Sequence, residues 1–265
     1  MNHNSKLSQC FSFIIFTTSL IACVSSRHPA VIYDTHMHFV SKELVSAYKG
    51  SVMQASNLTL EKVSNKLFPI NKTNTKLRWK TIKGDEHLLV AHVFEDNSKH
   101  EGKDHILMDQ NDVWVTAFPE LYDFCIDYMA KNPQANMSDI GLRMNQLLGL
   151  PANKVGYTLV EFWVRPSDLF RPCPDPDIST EQCGLHFPEG VAEEHVLWMN
   201  RLKAGTYQDA HIEYGGFPWT QLGYTYDWSP ESKDNFGLSE YVIKKGSKVY
   251  IENVYTRLEY CQMVL

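Results

Sequence analysis

The chain has 265 residues and a formal net charge of −6, with 43% hydrophobic and 21% charged residues. This composition excludes global disorder, and the single long apolar run near the N-terminus excludes a polytopic membrane protein. Removing residues 1–22 takes away one lysine and no acid, which moves the net charge from −6 to −7. An acidic body lacks the clustered cations that nucleic acid requires, so we expect no nucleic-acid partner.

The first 22 residues have the pattern of an export signal. Lys6 is their only positive side chain, and residues 11–22 are almost entirely apolar. Twelve residues span about 18 Å as a helix, which is short of the roughly 30 Å hydrocarbon core but typical of a signal peptide. The segment ends in Leu20-Ile21-Ala22-Cys23, which resembles the lipobox of bacterial lipoproteins.

This resemblance implies that the signal is removed before Cys23 and that the Cys23 thiol carries a diacylglycerol. Acyl chains there would anchor the protein in the lipid bilayer of the cell envelope, facing the periplasm or the exterior. Residues 23–30 would then be a tether and residues 31–265 a single domain. The alternative is an ordinary signal peptide that happens to end in a cysteine.

The first half of the remaining chain mixes helical and strand patterns. The predicted elements, in chain order, are a strand from residue 31, a mixed helical segment over 44–67, a hairpin of 77–82 and 87–94, a strand over 113–118 and a helical segment over 120–130. Ser138 is the predicted N-cap of a helix over 139–148, and Gly149 follows at its end.

The second half begins with the strongest predicted strand, residues 157–164. A long irregular stretch over 167–190 follows, and after it come a helix over 191–202 and strands over 219–228, 240–243 and 248–254. This order is neither alternating β/α nor purely β. We therefore expect an α+β fold with an antiparallel β-sheet core and a few short helices.

Cysteine usage agrees with an oxidising compartment. Four cysteines remain after Cys10 and Cys23 are set aside, and they allow three pairings. Cys173 and Cys183 bracket a short Pro- and Asp-rich loop, so a local disulfide is plausible, and Cys125 would then pair with Cys261. A zinc site is the rival interpretation, but the chain has no C-x-x-C pair.

A His-x-His motif is the first candidate site. The stretch from Ile32 to Phe39 resembles the first strand of amidohydrolase-type metalloenzymes, which fold as (β/α)₈ barrels. The resemblance implies that His36 and His38 hold a metal ion. The later histidines do not end clear strands, and they are His92, His186, His195 and His211.

The C-terminal block gives the second candidate site. Glu240-Tyr-Val-Ile243, a Lys-Lys-Gly-Ser turn and the strand that follows resemble the last strands of toxin-type ADP-ribosyltransferases. In this family a glutamate that opens a strand is catalytic, a role that falls to Glu240, and an arginine at a strand end, here Arg165, binds the NAD phosphates. NAD would then be a co-substrate.

The same resemblance gives roles to the segment 219–226. It implies a shelf for the nicotinamide, in which Thr220 and Tyr224 join the catalytic set and Trp219 and Tyr226 bind the cofactor.

Two non-catalytic interpretations remain. The loop over 165–177 projects Asp175 and Asp177 between prolines, which could serve Ca²⁺ or be structural. Aromatic residues are dense after residue 217, and they could form a core or a surface that contacts a nucleotide, a glycan or a protein. A non-catalytic envelope protein that binds such a partner is therefore the alternative to an NAD-consuming enzyme.

Overall fold

The computed structural model describes residues 41–94, 103–108, 111–154, 158–208 and 214–263. The signal peptide, the tether, Cys23, His36, His38 and His211 lie outside the described residues. Among the described residues, no helix combines the length and the apolar character needed to span a bilayer.

The predicted α+β class is confirmed. The α-helices of the described chain are α1 (Lys42–Ser56), α2 (Glu120–Lys131), α3 (Met137–Leu147), α4 (Glu193–Thr206) and α5 (Arg257–Gln262). Short 3₁₀ turns cover Leu60–Lys62 and Pro166–Asp168. The strands are β1 (Trp79–Ile82), β2 (Asp85–Phe94), β3 (His105–Leu107), β4 (Val113–Ala117), β5 (Thr158–Val164), β6 (Leu169–Phe170), β7 (Tyr224–Tyr226), β8 (Phe236–Ser239), β9 (Tyr241–Ile243) and β10 (Lys248–Thr256).

The main sheet is antiparallel between all its described neighbours. Its order is β3-β10-β5-β2-β4-β9-β6, with β1 added beside β2 as the predicted hairpin. Every side chain of β5 is buried, which explains why this segment has the strongest strand pattern in the sequence. Strands β7 and β8 form a separate two-stranded sheet.

The two faces of the main sheet are covered differently. On one face, Val90, Phe162 and Ile243 belong to a core that also takes residues from the loop before β1, such as Ile70 and Leu77. On the other face, alternate residues pack under α2, α3 and α5, among them Ala91 and Leu159. Helices α2, α3 and α5 therefore form a layer on this second face.

Both predicted disulfides are present. Cys125 in α2 is bonded to Cys261 in α5, and Cys173 is bonded to Cys183 across the Pro- and Asp-rich loop. All four of these cysteines are buried. The first bond links two helices of the layer, and the second closes a ten-residue loop.

Two predicted elements are wrong in detail. Asn136, not Ser138, caps α3, because its side chain accepts from the Ser138 and Asp139 amides while Asp139 bonds back to the Asn136 amide. The predicted strand over 219–228 is reduced to β7, because Gln221 and Gly223 have φ of 60° and 80° and turn the chain.

The small sheet meets the helix layer closely at Gly237 in β8. A Cβ at this position would lie 2.4 Å from the carbonyl oxygen of Leu147 and 2.1 Å from the hydroxyl oxygen of Thr225. Strand β8 passes directly beside the end of α3, and for this reason only glycine fits at position 237. After β8 the chain enters the main sheet through Glu240.

Candidate functional site

Glu240 connects the two sheets. Ser239 pairs with Tyr224 in the small sheet, and Tyr241 pairs with Val115 in the main sheet, so Glu240 is the single residue between β8 and β9. Its backbone amide donates to the carbonyl of Gly223 at 2.9 Å. Glu240 is thus held at both neighbours and through its own amide.

The Glu240 side chain lines a cavity beside β4 and β2. The cavity leaves about 100 Å³ open to the centres of water-sized molecules. Its polar lining consists of Glu240, His92, Thr116 and Thr225, and Trp114 lies beside them. The apolar part of the lining includes residues from α2 and the end of α3, namely Leu121, Leu148 and Leu150. We call this cavity the Glu240 cleft.

Two polar atoms of the cleft are buried without a hydrogen-bond partner in the described structure, Oε2 of Glu240 and Oγ1 of Thr116. Part of the Glu240 residue is exposed, but this oxygen is not. Burial raises the pKa of Glu240 to about 8, so the carboxyl is mostly protonated at neutral pH. Buried polar atoms without partners are rare in folded proteins and call for a ligand or a water molecule.

The other polar groups of the cleft are fixed by the fold. Nδ1 of His92 donates to the carbonyl oxygen of Trp114 at 2.6 Å, at the point where β2 and β4 cease to pair. The Thr225 hydroxyl donates to the carbonyl of Leu147 at 2.6 Å. These bonds hold the walls of the cleft in place, which a binding site requires.

Trp114 joins the cleft to a cluster of aromatic rings. The centroid of its ring lies 6.2 Å from those of Trp198 and Trp219, and Phe170 packs edge-on against Trp198 at 4.7 Å. Trp114 and Trp198 are partly exposed, whereas Trp219 is buried. The buried Trp219 ring therefore packs against Trp114 and Trp198, which each keep part of their surface accessible to solvent.

The structure does not bring Arg165 and Glu240 into one cleft. Arg165 is exposed at the end of β5, where its Nε donates to Asp168 at 2.8 Å. β5 and Glu240 are separated by β2 and β4, and the strand registers offset them by four residues. Three strand spacings and this offset place their backbones roughly 20 Å apart. The NAD site implied by the resemblance would need the two residues together.

The four residues of the implied nicotinamide shelf are buried, and their side chains hydrogen-bond to other parts of the protein. The Thr220 hydroxyl donates to the carbonyl of Tyr224 at 2.6 Å and closes the turn between them. The Tyr224 hydroxyl donates to the Lys62 carbonyl, and the Tyr226 hydroxyl donates to the side chain of Gln54. The Trp219 indole donates to the carbonyl of Pro172 at 3.2 Å. These four side chains are buried, and each fastens a neighbouring segment.

A second buried carboxyl, that of Glu120, contacts the residue next to Glu240 although the two glutamates are far apart in the sequence. Oε1 of Glu120, at the start of α2, accepts from the amide and the hydroxyl of Ser239. Its Oε2 is buried without a partner in the described structure, and burial raises its pKa to about 8. Ser239 and Glu240 are successive residues of an extended segment, so their side chains point to opposite faces. Glu120, which contacts Ser239, therefore lies on one side of this segment, and the Glu240 cleft lies on the other.

Sequence reasoning found Glu240 but missed His92, Trp114 and Thr116 as its neighbours. The alternation of the predicted strand over 113–118 does place Trp114 and Thr116 on one face. Nothing local shows that this strand lies beside Glu240, because the pairing of β4 with β9 joins residues far apart in the sequence.

In comparisons with known proteins, no family model, no curated protein and no solved structure matches the chain. Among the described residues, no group of three or more His, Cys, Asp or Glu side chains could hold a metal ion. The function must therefore be argued from the geometry and chemistry of this chain.

Proposed function

We propose that this protein is an exported, lipid-anchored envelope protein that binds a neutral saccharide in the Glu240 cleft. The single observation that carries the binding proposal is that a partly exposed tryptophan and a buried, unpartnered carboxyl oxygen line the same cavity. The two disulfides support an oxidising compartment, in agreement with the export signal.

Charge argues for a neutral ligand. In the described part of the chain, no lysine or arginine lines the cleft. An anionic ligand such as a pyrophosphate would have to approach the buried carboxyl of Glu240 without a cation to neutralise it. This favours a binding protein over the NAD-consuming activity, which also needs Arg165 close to Glu240.

The polar groups suit hydroxyl groups. A protonated Glu240 carboxyl both donates and accepts hydrogen bonds, and the Thr116 hydroxyl does the same. Two such groups without partners match the alternating donors and acceptors of a sugar ring. An apolar ligand would leave both groups unsatisfied, at a cost of about 1–3 kcal/mol each.

Trp114 provides the apolar half of a saccharide site. The C–H face of a sugar ring packs on an indole, and the hydroxyl edge faces the polar groups opposite. The cleft is small, and we expect it to take a single sugar ring.

The test is a titration with N-acetylglucosamine, its trimer, cellotriose, maltotriose and NAD, followed by tryptophan fluorescence and calorimetry. We expect at least one saccharide to bind and NAD not to bind. Trp114→Ala, Glu240→Ala and Thr116→Val should each weaken saccharide binding by about tenfold, because each removes a contact worth about 1.4 kcal/mol.

Arg165→Ala is the matched control, since Arg165 lies outside the cleft, and its affinity should equal that of the wild type. If none of the four saccharides binds, or if the three cleft variants bind like the wild type, the proposal is wrong. Binding of NAD that depends on both Arg165 and Glu240 would support the ADP-ribosyltransferase resemblance instead.

The lipid anchor makes a separate prediction. We expect the mass of the membrane-extracted protein to show loss of residues 1–22 and a diacylglyceryl group on Cys23. Cys23→Ser should release the protein from the membrane fraction, because the acyl chains supply the anchor. Soluble wild-type protein that retains its leader inside the cell would contradict both the export and the anchor.

A further inference from the structure

A second cavity lies over the middle of β5, between β2, β10 and Arg78 just before β1. It has a volume of about 300 Å³, and its lining includes Arg78, Glu161, Trp163, Glu252 and Tyr255. None of these residues lines the Glu240 cleft. We call it the Glu161 cavity.

Glu161 is an unusual residue for its place in the fold. It lies in the middle of β5, and only 3% of its surface is exposed. Oε2 accepts from the Tyr255 hydroxyl at 3.4 Å, and Oε1 is buried with no hydrogen-bond partner at bonding distance in the described structure. The buried Tyr260 hydroxyl, which also has no such partner there, lies close enough to lower the pKa of Glu161. A carboxyl buried in a strand is costly unless a partner compensates it, so Oε1 points to a ligand.

A second carboxylate reaches the cavity through an irregularity in β10. The register between β10 and β5 shifts between Ile251 and Asn253, which leaves Glu252 at the bulge. Glu252 accepts from the Trp163 indole and forms an ion pair with Lys80 at 3.0 Å. Bulges commonly re-aim side chains beside functional sites, and here the bulge sets a carboxylate next to Glu161.

A cation lines the same cavity. The Arg78 guanidinium lies 4.4 Å from the centroid of the Phe118 ring, so the ring face supports it. The positive charge of Arg78 lowers the pKa values of both Glu161 and Glu252, so the guanidinium lies within electrostatic range of the two carboxyls. The cavity therefore presents two carboxyls and one guanidinium.

We propose that the Glu161 cavity binds a small amino-acid-like zwitterion. Its ammonium group would be held by Glu161 and the Tyr255 hydroxyl, and its carboxylate by Arg78. The pattern of one unpartnered acid and one cation around a cavity of this size matches a ligand that carries both charges. A ligand with only a positive charge would be repelled by Arg78, and a ligand with only a negative charge would leave Glu161 unpaired.

The binding should depend on pH. Burial, and after it the charge of Glu252, raises the pKa of Glu161 to about 7, whereas the Tyr255 hydrogen bond, Arg78 and Tyr260 lower it. Because the ammonium needs the ionised carboxylate, affinity should fall by about fivefold to tenfold between pH 8 and pH 6.

The experiment is calorimetry of the full mature protein with alanine, ethylamine and propionate. We expect alanine to bind, and ethylamine and propionate to bind at least tenfold more weakly. Glu161→Gln keeps the shape of the side chain and should weaken alanine binding by tenfold or more, as should Arg78→Gln. Glu86→Gln is the matched control, because Glu86 is exposed and paired with Lys72 outside the cavity.

Thermal unfolding followed by circular dichroism shows whether each variant is folded. Equal binding of alanine by the wild type and Glu161→Gln would overturn the proposal, and so would an absence of alanine binding. Ethylamine or propionate binding as tightly as alanine would overturn the zwitterion. These outcomes are independent of the saccharide proposal, because the two cavities share no lining residue.

Discussion

Replacing Cys125 and Cys261 together by serine is expected to lower the free energy of unfolding by about 5 kcal/mol. The bond joins residues 136 apart in the sequence, and the chain-entropy relation gives about 5 kcal/mol for a loop of that length. It also connects α2 with the C-terminal helix α5, and both cysteines are buried in the core under the helix layer. Urea unfolding at neutral pH, followed by circular dichroism, measures the change.

The double variant Cys173→Ser, Cys183→Ser is the matched control. It removes a bond that closes only ten residues, for which the same relation gives about 3 kcal/mol. A loss for the long-range pair that is no larger than the loss for the local pair would contradict the loop-length explanation of the two contributions.

The stability of the protein is expected to fall as the pH rises from about 5 to about 8. Burial raises the pKa values of Glu120 and Glu240 to about 8. The folded state therefore holds protons that the unfolded state has already released, and stability decreases with pH until both states are deprotonated. A shift of this size corresponds to about 5 kcal/mol for each group, as an upper limit.

Glutamine at these positions mimics the protonated carboxyl. We expect Glu240→Gln and Glu120→Gln each to flatten the pH dependence between about pH 5 and 8 and to be more stable than the wild type near pH 9. The comparison uses urea unfolding at three pH values, with Glu86→Gln as the exposed control. Variants that retain the full slope of the wild type would show that the two carboxyls are ionised in the folded state at neutral pH.

Local patterns predicted much of the fold. The strand over 113–118 and the long strand after residue 157 follow from apolar runs bounded by Pro119 and Arg165-Pro166, and the first half of the sheet follows from a hairpin. Helix α3 was predicted with the wrong cap, because Asn136 and Ser138 are both good N-caps. Only the reciprocal bond from Asp139 selects Asn136.

Aromatic density in the segment 219–226 could not be interpreted from the sequence. Alternation predicts a strand with outward-facing rings, but the Thr220 hydroxyl and the positive φ of Gln221 and Gly223 turn the chain. As a result Trp219, Tyr224 and Tyr226 are all buried, and each bonds a different segment. The ring that lines the Glu240 cleft is the partly exposed Trp114 instead, from a strand more than one hundred residues earlier.

The same reason limits prediction of the candidate site. Glu240 could be singled out from the sequence only through the resemblance of the C-terminal block to toxin-type ADP-ribosyltransferases. Its surroundings depend on the order β2-β4-β9, which no short pattern encodes. The strand order that brings β2 and β4 beside Glu240 also keeps Arg165 away from it, because these two strands lie between β5 and Glu240.

The most direct test of the account is a ¹H–¹⁵N spectrum of the six tryptophan indole groups during titration with the four saccharides. The account predicts that the Trp114 indole signal moves most, followed by its ring neighbours Trp198 and Trp219, while Trp79, Trp163 and Trp228 do not move. Unchanged indole signals with every saccharide, or a shift confined to residues away from the Glu240 cleft, would contradict it.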